Sequence, residues 1–379
     1  MISPLEKVTL AQTKEERDAC ARFGYDVYVK ELGYNPPGTD HDRQIVWEEL
    51  DDSPYARHYY AGPVDDIRGI IRLLVWPPGT VDPKLFRAYS MSLYQGIDKL
   101  STMEVGRLMI RPKMRGKLIF PSLARRAFAD GCSLGVELGF AECRPGLVPH
   151  YRRMGLRPYR ADLIQTPEGL MVPMVLVMSD LDYHHAVGSI AEDIVARVFG
   201  PGGRPVLDIS AYASLLHEDV QRIEVDAERV WASIENDMAI KRLAPTLFDG
   251  VSDADRRAIV QGGLLLELQS GADVAVEGRS EQEIYLLLEG SLKVITGEHT
   301  VATLEAGEVF GEMAFFRPTC KRSATVRAVE PSRILALSRN FLERLKREHT
   351  DAALKILFNL GRIVSERLAA QIVRPAPAF

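Results

Sequence analysis

Near residue 246 the chain changes pattern, and that change limits its possible folds more than any other feature. Beyond it, short β-type runs follow one another: LLLELQSG, YLLLEGSLKVIT, HTVATLEAGEVFG and SATVRAVEPSRILALS. Glycine and charged residues punctuate them at roughly 8–12-residue spacing, the pattern of a small barrel or jelly roll. Helical spacing then runs from Arg339 to about Ile372. Upstream, residues 185–245 read as mostly helical. SIAEDIVARVFG ends at Gly200, PGGRPV breaks the chain, and a long segment without proline or glycine follows from Asp208. Residues 1–184 alternate instead. VDDIRGIIRLLVW (64–76), MEVGRLMIR (103–111) and MVPMVLVMSDL (171–181) read as strands, and FPSLARRAFADGCSLG (120–135) as a helix. That alternation predicts an α/β or α+β layer fold. The expected organisation is an α/β (α+β) domain over 1–184 with a mixed central sheet flanked by helices. A helical linker follows over 185–245, and a jelly roll with C-terminal lid helices over 246–373.

The chemistry of the last zone lies in GEVFGEMAFFRPTCKRSATVRA (307–328). A cyclic nucleotide presents one anionic phosphodiester and one free ribose 2′-hydroxyl. The turn Phe310-Gly311-Glu312, continued by Met313 and Ala314, can offer backbone N–H groups as an anion nest. Glu312 can accept from the hydroxyl, the planar fork of Arg322 suits the phosphate, and Ser323 adds a donor. These residues, with Ala324 and Val326, resemble the phosphate-binding cassette of the cyclic-nucleotide-binding family. Catabolite activator proteins and protein kinase A regulatory subunits share that family. IYLLLEGSLKV (284–294), with Gly290 at its turn, and LFDGVSDADRRAIV (247–260) match the family's neighbouring elements. The resemblance covers about 125 residues. It implies a regulatory ligand, cAMP before cGMP because a small residue follows Arg322, and a lid helix within 353–372. The chain ends soon after that helix, so no DNA-binding module is expected, and the sensor is expected to regulate something N-terminal to itself.

In the first zone, seven lysines and arginines lie between Arg107 and Arg126, with no acid between Gly106 and Ala129. A strand, a basic turn and a helix N-terminus in that order favour an anion. The downstream segment AECRPGLVPHYRRMGLRPY (141–159) resembles the C-terminal part of the GNAT acyltransferase fold, through Tyr151, Met154, Gly155 and Leu156. Upstream, Arg22 in a helix, the pair Glu49 and Asp52, Arg72 within GIIRLL, and Glu104 with Arg107 resemble acyl-homoserine lactone synthases and N-acyl amino acid synthases. The match is spread over about 160 residues. It implies aminolysis of a thioester, with Glu104 as base, Tyr151 protonating the thiolate, and Arg72 and Arg107 binding an acceptor carboxylate or orienting the acids. Arg22, Glu49 and Asp52 would bind substrate. Ile110, Arg115, Gly116 and Lys117 would bind the acyl donor. The later glycine of the GNAT pyrophosphate loop is absent from Arg115-Gly116-Lys117-Leu118-Ile119-Phe120. That fits a donor on acyl carrier protein, with its single phosphodiester, beside the CoA alternative. WEELDD lacks the spacing of the lactone synthases, so S-adenosylmethionine is not carried over.

The leading expectation is a cyclic-nucleotide-regulated N-acyltransferase acting on a small amine such as an amino acid. The alternatives are a cAMP-regulated protein lysine acetyltransferase using acetyl-CoA, and a catalytically inactive cAMP sensor working through a partner. A net charge of −5 excludes a bulk polyanion binder. The four cysteines, Cys20, Cys132, Cys143 and Cys320, are scattered without metal spacing, so no metal is expected. With no signal peptide and no apolar run of about 20 residues, the protein is expected in the cytoplasm, possible as a homodimer.

Overall fold

The computed structural model describes residues 5–159, 164–166, 169–216, 247–279, 283–316 and 321–373. The chain divides into two compact units. The first comprises Met1–Arg160 with Thr166–Glu218, and the second Ala161–Gln165 with Asp219–Phe379.

An eight-stranded sheet organises the first unit. Its main path runs through β1 (Val8–Leu10), β2 (Ala56–Ala61), β3 (Gly69–Trp76), β4 (Thr102–Ile110), β5 (Leu138–Cys143), β6 (Leu156–Pro158) and β7 (Gly169–Val177), in the order β1-β2-β3-β4-β5-β7-β6. β4 and β5 pair in parallel. A parallel pair needs a crossover, and α2 (Ile119–Ser133) supplies it. α2 buries Leu123, Ala124, Ala127 and Phe128, a 3.6-period stripe, and leaves Arg125 and Arg126 half-buried. α1 (Lys14–Tyr25) begins at a capping box in which Thr13 and Glu16 satisfy each other's backbone N–H. It passes directly into a π-helical turn, Asp26–Glu31.

The expected strands at 64–76, 103–111 and 171–181 and the helix at 120–135 coincide with β3, β4, β7 and α2. Residues 185–216, expected to open a separate linker, belong to the first unit. There the helix Glu192–Phe199 ties to α2, with Arg125 holding Asp193. Most of the connecting helices expected over 208–243 fall outside the described residues.

In the second unit, two four-stranded antiparallel sheets form the β-rich body. One contains β8 (Leu264–Leu268), β10 (Ile284–Glu289), β13 (Val309–Phe310) and β15 (Ser332–Leu337). The other contains β9 (Asp273–Ala275), β11 (Ser291–Thr296), β12 (His299–Glu305) and β14 (Thr325–Ala328). Alternation along β8 buries Leu266 and Leu268 while Glu267 faces water. Terminal helices Arg339–Glu348 and Thr350–Val373 pack Phe341, Leu345, Ile356 and Leu360 with Phe248, Ile284 and Leu337 in one core. Among the described residues no helix is long and apolar enough to cross a membrane.

Candidate functional site

In the first unit, β3 and β4 each place a charged residue inside the sheet layer. Arg72 is 5% exposed and Glu104 also 5%, so each must be paired. Arg72 Nη2 donates to Glu104 Oε2 at 3.2 Å and Oε1 at 3.3 Å, while its Nη1 reaches Glu48 at 2.7 Å and Asp51 at 2.8 Å. Arg107 Nη2 joins the same two acids, at 3.1 Å from Glu48 and 2.8 Å from Asp51. Two guanidinium groups thus share two carboxylates.

The backbone explains how Arg107 arrives there. In a regular strand, Arg107 and Glu104 would point to opposite faces. β4 instead has a bulge: Arg72 faces Gly106 and Ile70 faces Met109, so Arg107 and Leu108 stand against Ile71 alone. Arg107 takes φ 49°, a left-handed conformation that side chains rarely adopt. The extra residue turns its side chain onto the Glu104 face. Gly106 has its own reason, since a Cβ there would lie 2.2 Å from Glu104 Oε1.

The site's electrostatics follow from burial. Burial pushes the Glu104 carboxyl above its ordinary range, against the pull of Arg72 and with Glu48 adding to the rise. Burial would raise Asp51 too, but Arg107, then Arg72 and His58, hold it low. His58 stacks on Trp47 at 4.4 Å, and its Nε2 is 3.2 Å from the Asp51 carbonyl. Burial takes its imidazole down to about 4.

β4 and β5 pair only from Thr102↔Leu138 to Glu104↔Phe140, although both continue further. A wedge therefore opens beside Glu104. Tyr151, on the short helix α3 (Val148–Arg152), is buried and feels the charges of Cys143, Tyr28, Glu104 and Glu142. Its phenol is pushed well up, by burial first, so it keeps its proton at neutral pH. Tyr89 is likewise raised by burial, then by Glu104 and Glu142.

Glu104, Arg72, Arg107 and Tyr151 are thus brought to one region. Glu49 and Asp52 are not: both are exposed, and Asp52 accepts from Trp47 Nε1 at 3.0 Å. The acids facing the arginines are Glu48 and Asp51, one residue earlier. The 3-10 turn Glu49–Asp52 points this pair inward, as Glu48 and Asp51 cap each other's backbone. Arg22 lies exposed on α1. In the loop expected to bind the acyl donor, Arg115 pairs with Glu31 at 2.6 Å and donates to the Ile110 carbonyl at 3.1 Å. Gly116 takes φ 77°, and Lys117 Nζ lies 3.7 Å from Met114 Sδ. α2 starts just beyond at Ile119, and its N-cap Leu118 offers no side-chain cap to the first N–H groups.

In the second unit, Phe310 ends β13 and stacks on Tyr285 at 4.9 Å. Gly311 follows at φ 85°, and a Cβ there would lie 2.6 Å from Arg322 Nη1. Arg322 is 5% exposed and donates to the carbonyls of Gly311 and Glu283, each at 3.0 Å. Its guanidinium sits 5.5 Å from the Tyr285 ring. Glu312, Met313 and Ala314 open the short helix Glu312–Phe316, with Glu312 buried and Met313 exposed. Ser323 is exposed and Ala324 half-buried. The sequence offered no sign that Arg367 would bond Glu312 at 3.1 Å. Among the described residues no cluster of ligating side chains could hold a metal ion.

Residues 19–180 match the family model described as N-acyl amino acid synthase FeeM, and residues 265–349 match that of the cyclic nucleotide-binding domain. The chain joins an N-acyl amino acid synthase domain to a cyclic nucleotide-binding domain. The synthase match contains the whole Glu48, Asp51, Arg72, Glu104 and Arg107 network. The nucleotide-binding match contains both Gly311–Ala314 and Arg322.

Curated relatives include the Pycsar effector protein PaPycTIR of Pseudomonas aeruginosa, 39% identical over 24% of this chain and 29% of that protein. A cGMP-dependent protein kinase of Eimeria tenella is 30% identical over 35% of this chain and 12% of the kinase. The chain thus spans less than a third of either relative. Among solved structures, the catabolite activator protein of Thermus thermophilus is 27% identical, over 34% of this chain and 60% of that one, at a TM-score of 0.31.

Proposed function

We propose that the protein is a cyclic-nucleotide-regulated N-acyltransferase with a GNAT-like catalytic domain. It moves an acyl group from a thioester to a small amine such as an amino acid. The observation that carries this reading is the buried Glu104 carboxyl at the end of the β4/β5 pairing, raised in pKa and set near a protonated Tyr151.

The reaction balances on these groups. The amine nitrogen attacks the thioester carbonyl and a C–N bond forms. Glu104 takes the proton that the nitrogen loses, directly or through a water. The C–S bond breaks, and the Tyr151 hydroxyl gives its proton to the departing thiolate. Backbone groups in the wedge past Phe140 are suited to hold the carbonyl oxygen. The Nε groups of Arg72 and Arg107 are buried with no acceptor among the described residues, which favours an acceptor bearing a carboxylate. The basic loop Arg111–Lys117 and the uncapped start of α2 suit a single phosphodiester, so acyl carrier protein is the favoured donor carrier and CoA the second.

The regulatory ligand is a cyclic nucleotide at Gly311–Ala314 and Arg322. Ser323 after the arginine puts cAMP first, and relatives named as cGMP-dependent kinases put cGMP next to test. Mass spectrometry of lipid extracts from cells producing the wild type or Glu104→Ala tests the chemistry. A new N-acylated amine confined to the wild type supports the reading. Identical extracts, with cyclic nucleotide present, contradict it.

A further inference from the structure

The helix Thr350–Val373 carries Arg367 to the nucleotide cassette. Arg367 Nη1 donates to Glu312 Oε1 at 3.1 Å, and its Nη2 lies 3.6 Å from Glu308 Oε1. The Glu312 side chain is only 11% exposed, and Arg367 is 32% exposed. The guanidinium therefore holds one oxygen of a carboxylate that has little surface left open to anything else. Glu312 is also the one acidic side chain of the Gly311–Ala314 turn. Its other neighbour across the turn, Arg322, is directed to the carbonyls of Gly311 and Glu283.

We infer that Arg367 is an internal competitor for the nucleotide site, occupying the carboxylate that a ribose 2′-hydroxyl must reach. This deepens the proposed nucleotide reading and rests on it. A hydroxyl hydrogen bond to Glu312 and the Arg367 ion pair need the same small opening, so binding requires Arg367 to leave. Glu308 gives it somewhere to go. A modest shift of one side chain moves the guanidinium from one carboxylate to the other without stranding its charge. Ligand binding is thereby linked to the last turns of the helix through one named contact, and affinity is set partly by how tightly that contact holds.

The sign of the effect is the test, because loss of a merely structural contact would not tighten binding. Full-length wild type, Arg367→Ala, Glu308→Gln and the double variant are titrated calorimetrically with each of the four common 3′,5′-cyclic mononucleotides. Arg367→Ala is expected to bind about three- to tenfold more tightly than wild type, as for a half-exposed ion pair removed. Glu308→Gln, whose amide oxygen can still accept the Glu305 N–H that Glu308 takes at 2.8 Å, is expected to change affinity in the wild-type background and not in the Arg367→Ala background. Binding by the variant where the wild type shows none also supports the inference. Wild-type binding that Arg367→Ala leaves unchanged or weakens overturns the competitor and leaves the nucleotide site standing. No binding by any of the four proteins overturns the nucleotide reading itself, and the competitor with it.

Discussion

Arg107 meets Asp51 at 2.8 Å because the backbone at Arg107 is left-handed, with φ 49°. A side chain held there costs of order 1–3 kcal/mol, which the surrounding ion pairs must offset. Asp51→Asn leaves two buried guanidinium groups short of one carboxylate, and should destabilise the first unit by about 3–5 kcal/mol. Glu49→Gln and Asp52→Asn should each change stability by less than about 0.5 kcal/mol. Thermal melts of the three variants check the one-residue offset directly.

Gly106→Ala should displace the Glu104 carboxylate. The added methyl would meet Oε1, and Arg72 pins that group from the other side. We expect turnover to fall about 10- to 100-fold, in the range of lost general-base positioning, with circular dichroism unchanged. A fully active Gly106→Ala would remove Glu104 from the mechanism.

Tyr151→Phe keeps the buried ring and deletes the proton. The turnover number should drop about 10- to 100-fold with little change in KM. The defect should shrink with thioesters of more acidic thiols, whose leaving groups need no proton. Turnover measured across such a series checks this.

His58 and His184 are both buried, and burial takes each imidazole to about 4. A folded-state pKa below the unfolded value means that the unfolded chain binds more protons between about pH 6.5 and 4. Stability conferred by the neutral rings is full above pH 6.5 and lost as pH falls through that window. Each contributes up to roughly 3 kcal/mol. Denaturation midpoints between pH 7 and 4 should flatten in His58→Gln relative to wild type, and an unchanged slope would count against the assignment.

Arg322→Ala should weaken cyclic nucleotide binding by about 2 kcal/mol or more, close to thirtyfold. It also removes the donors to the Gly311 and Glu283 carbonyls, so Arg322→Lys, which keeps the charge and loses the fork, should fall between. Isothermal titration of both variants measures the order.

The legible parts of this molecule are those governed by local pattern. Near-continuous apolar runs marked the buried strands β3, β4 and β7, and 3.6-period spacing marked α2, within a few residues. The Phe310–Ala314 and Arg322 spacing marked the cassette, because its turn needs glycine at φ 85° and its cation lies a fixed distance along the chain. What escaped depends on side-chain direction. An acidic pair three apart occurs twice in WEELDD, as Glu48 with Asp51 and as Glu49 with Asp52. Only the folded turn decides which pair points inward. The bulge at Arg107 replaces a strand alternation that the sequence alone would continue. Arg367 lies 55 residues from Glu312, on a helix whose charges look like ordinary solvated ones. His58 and Glu142 carried no motif, and a strand position beside Arg72 or beyond Phe140 was the only available sign.

The most direct measurement is thiol release from an acyl thioester by the purified full-length protein, with an amino acid acceptor, with and without saturating cyclic nucleotide. The account predicts acceptor-dependent release whose rate changes several-fold on adding nucleotide, and which Glu104→Gln abolishes. Release that is the same with and without each nucleotide, or that Glu104→Gln leaves intact, would contradict it.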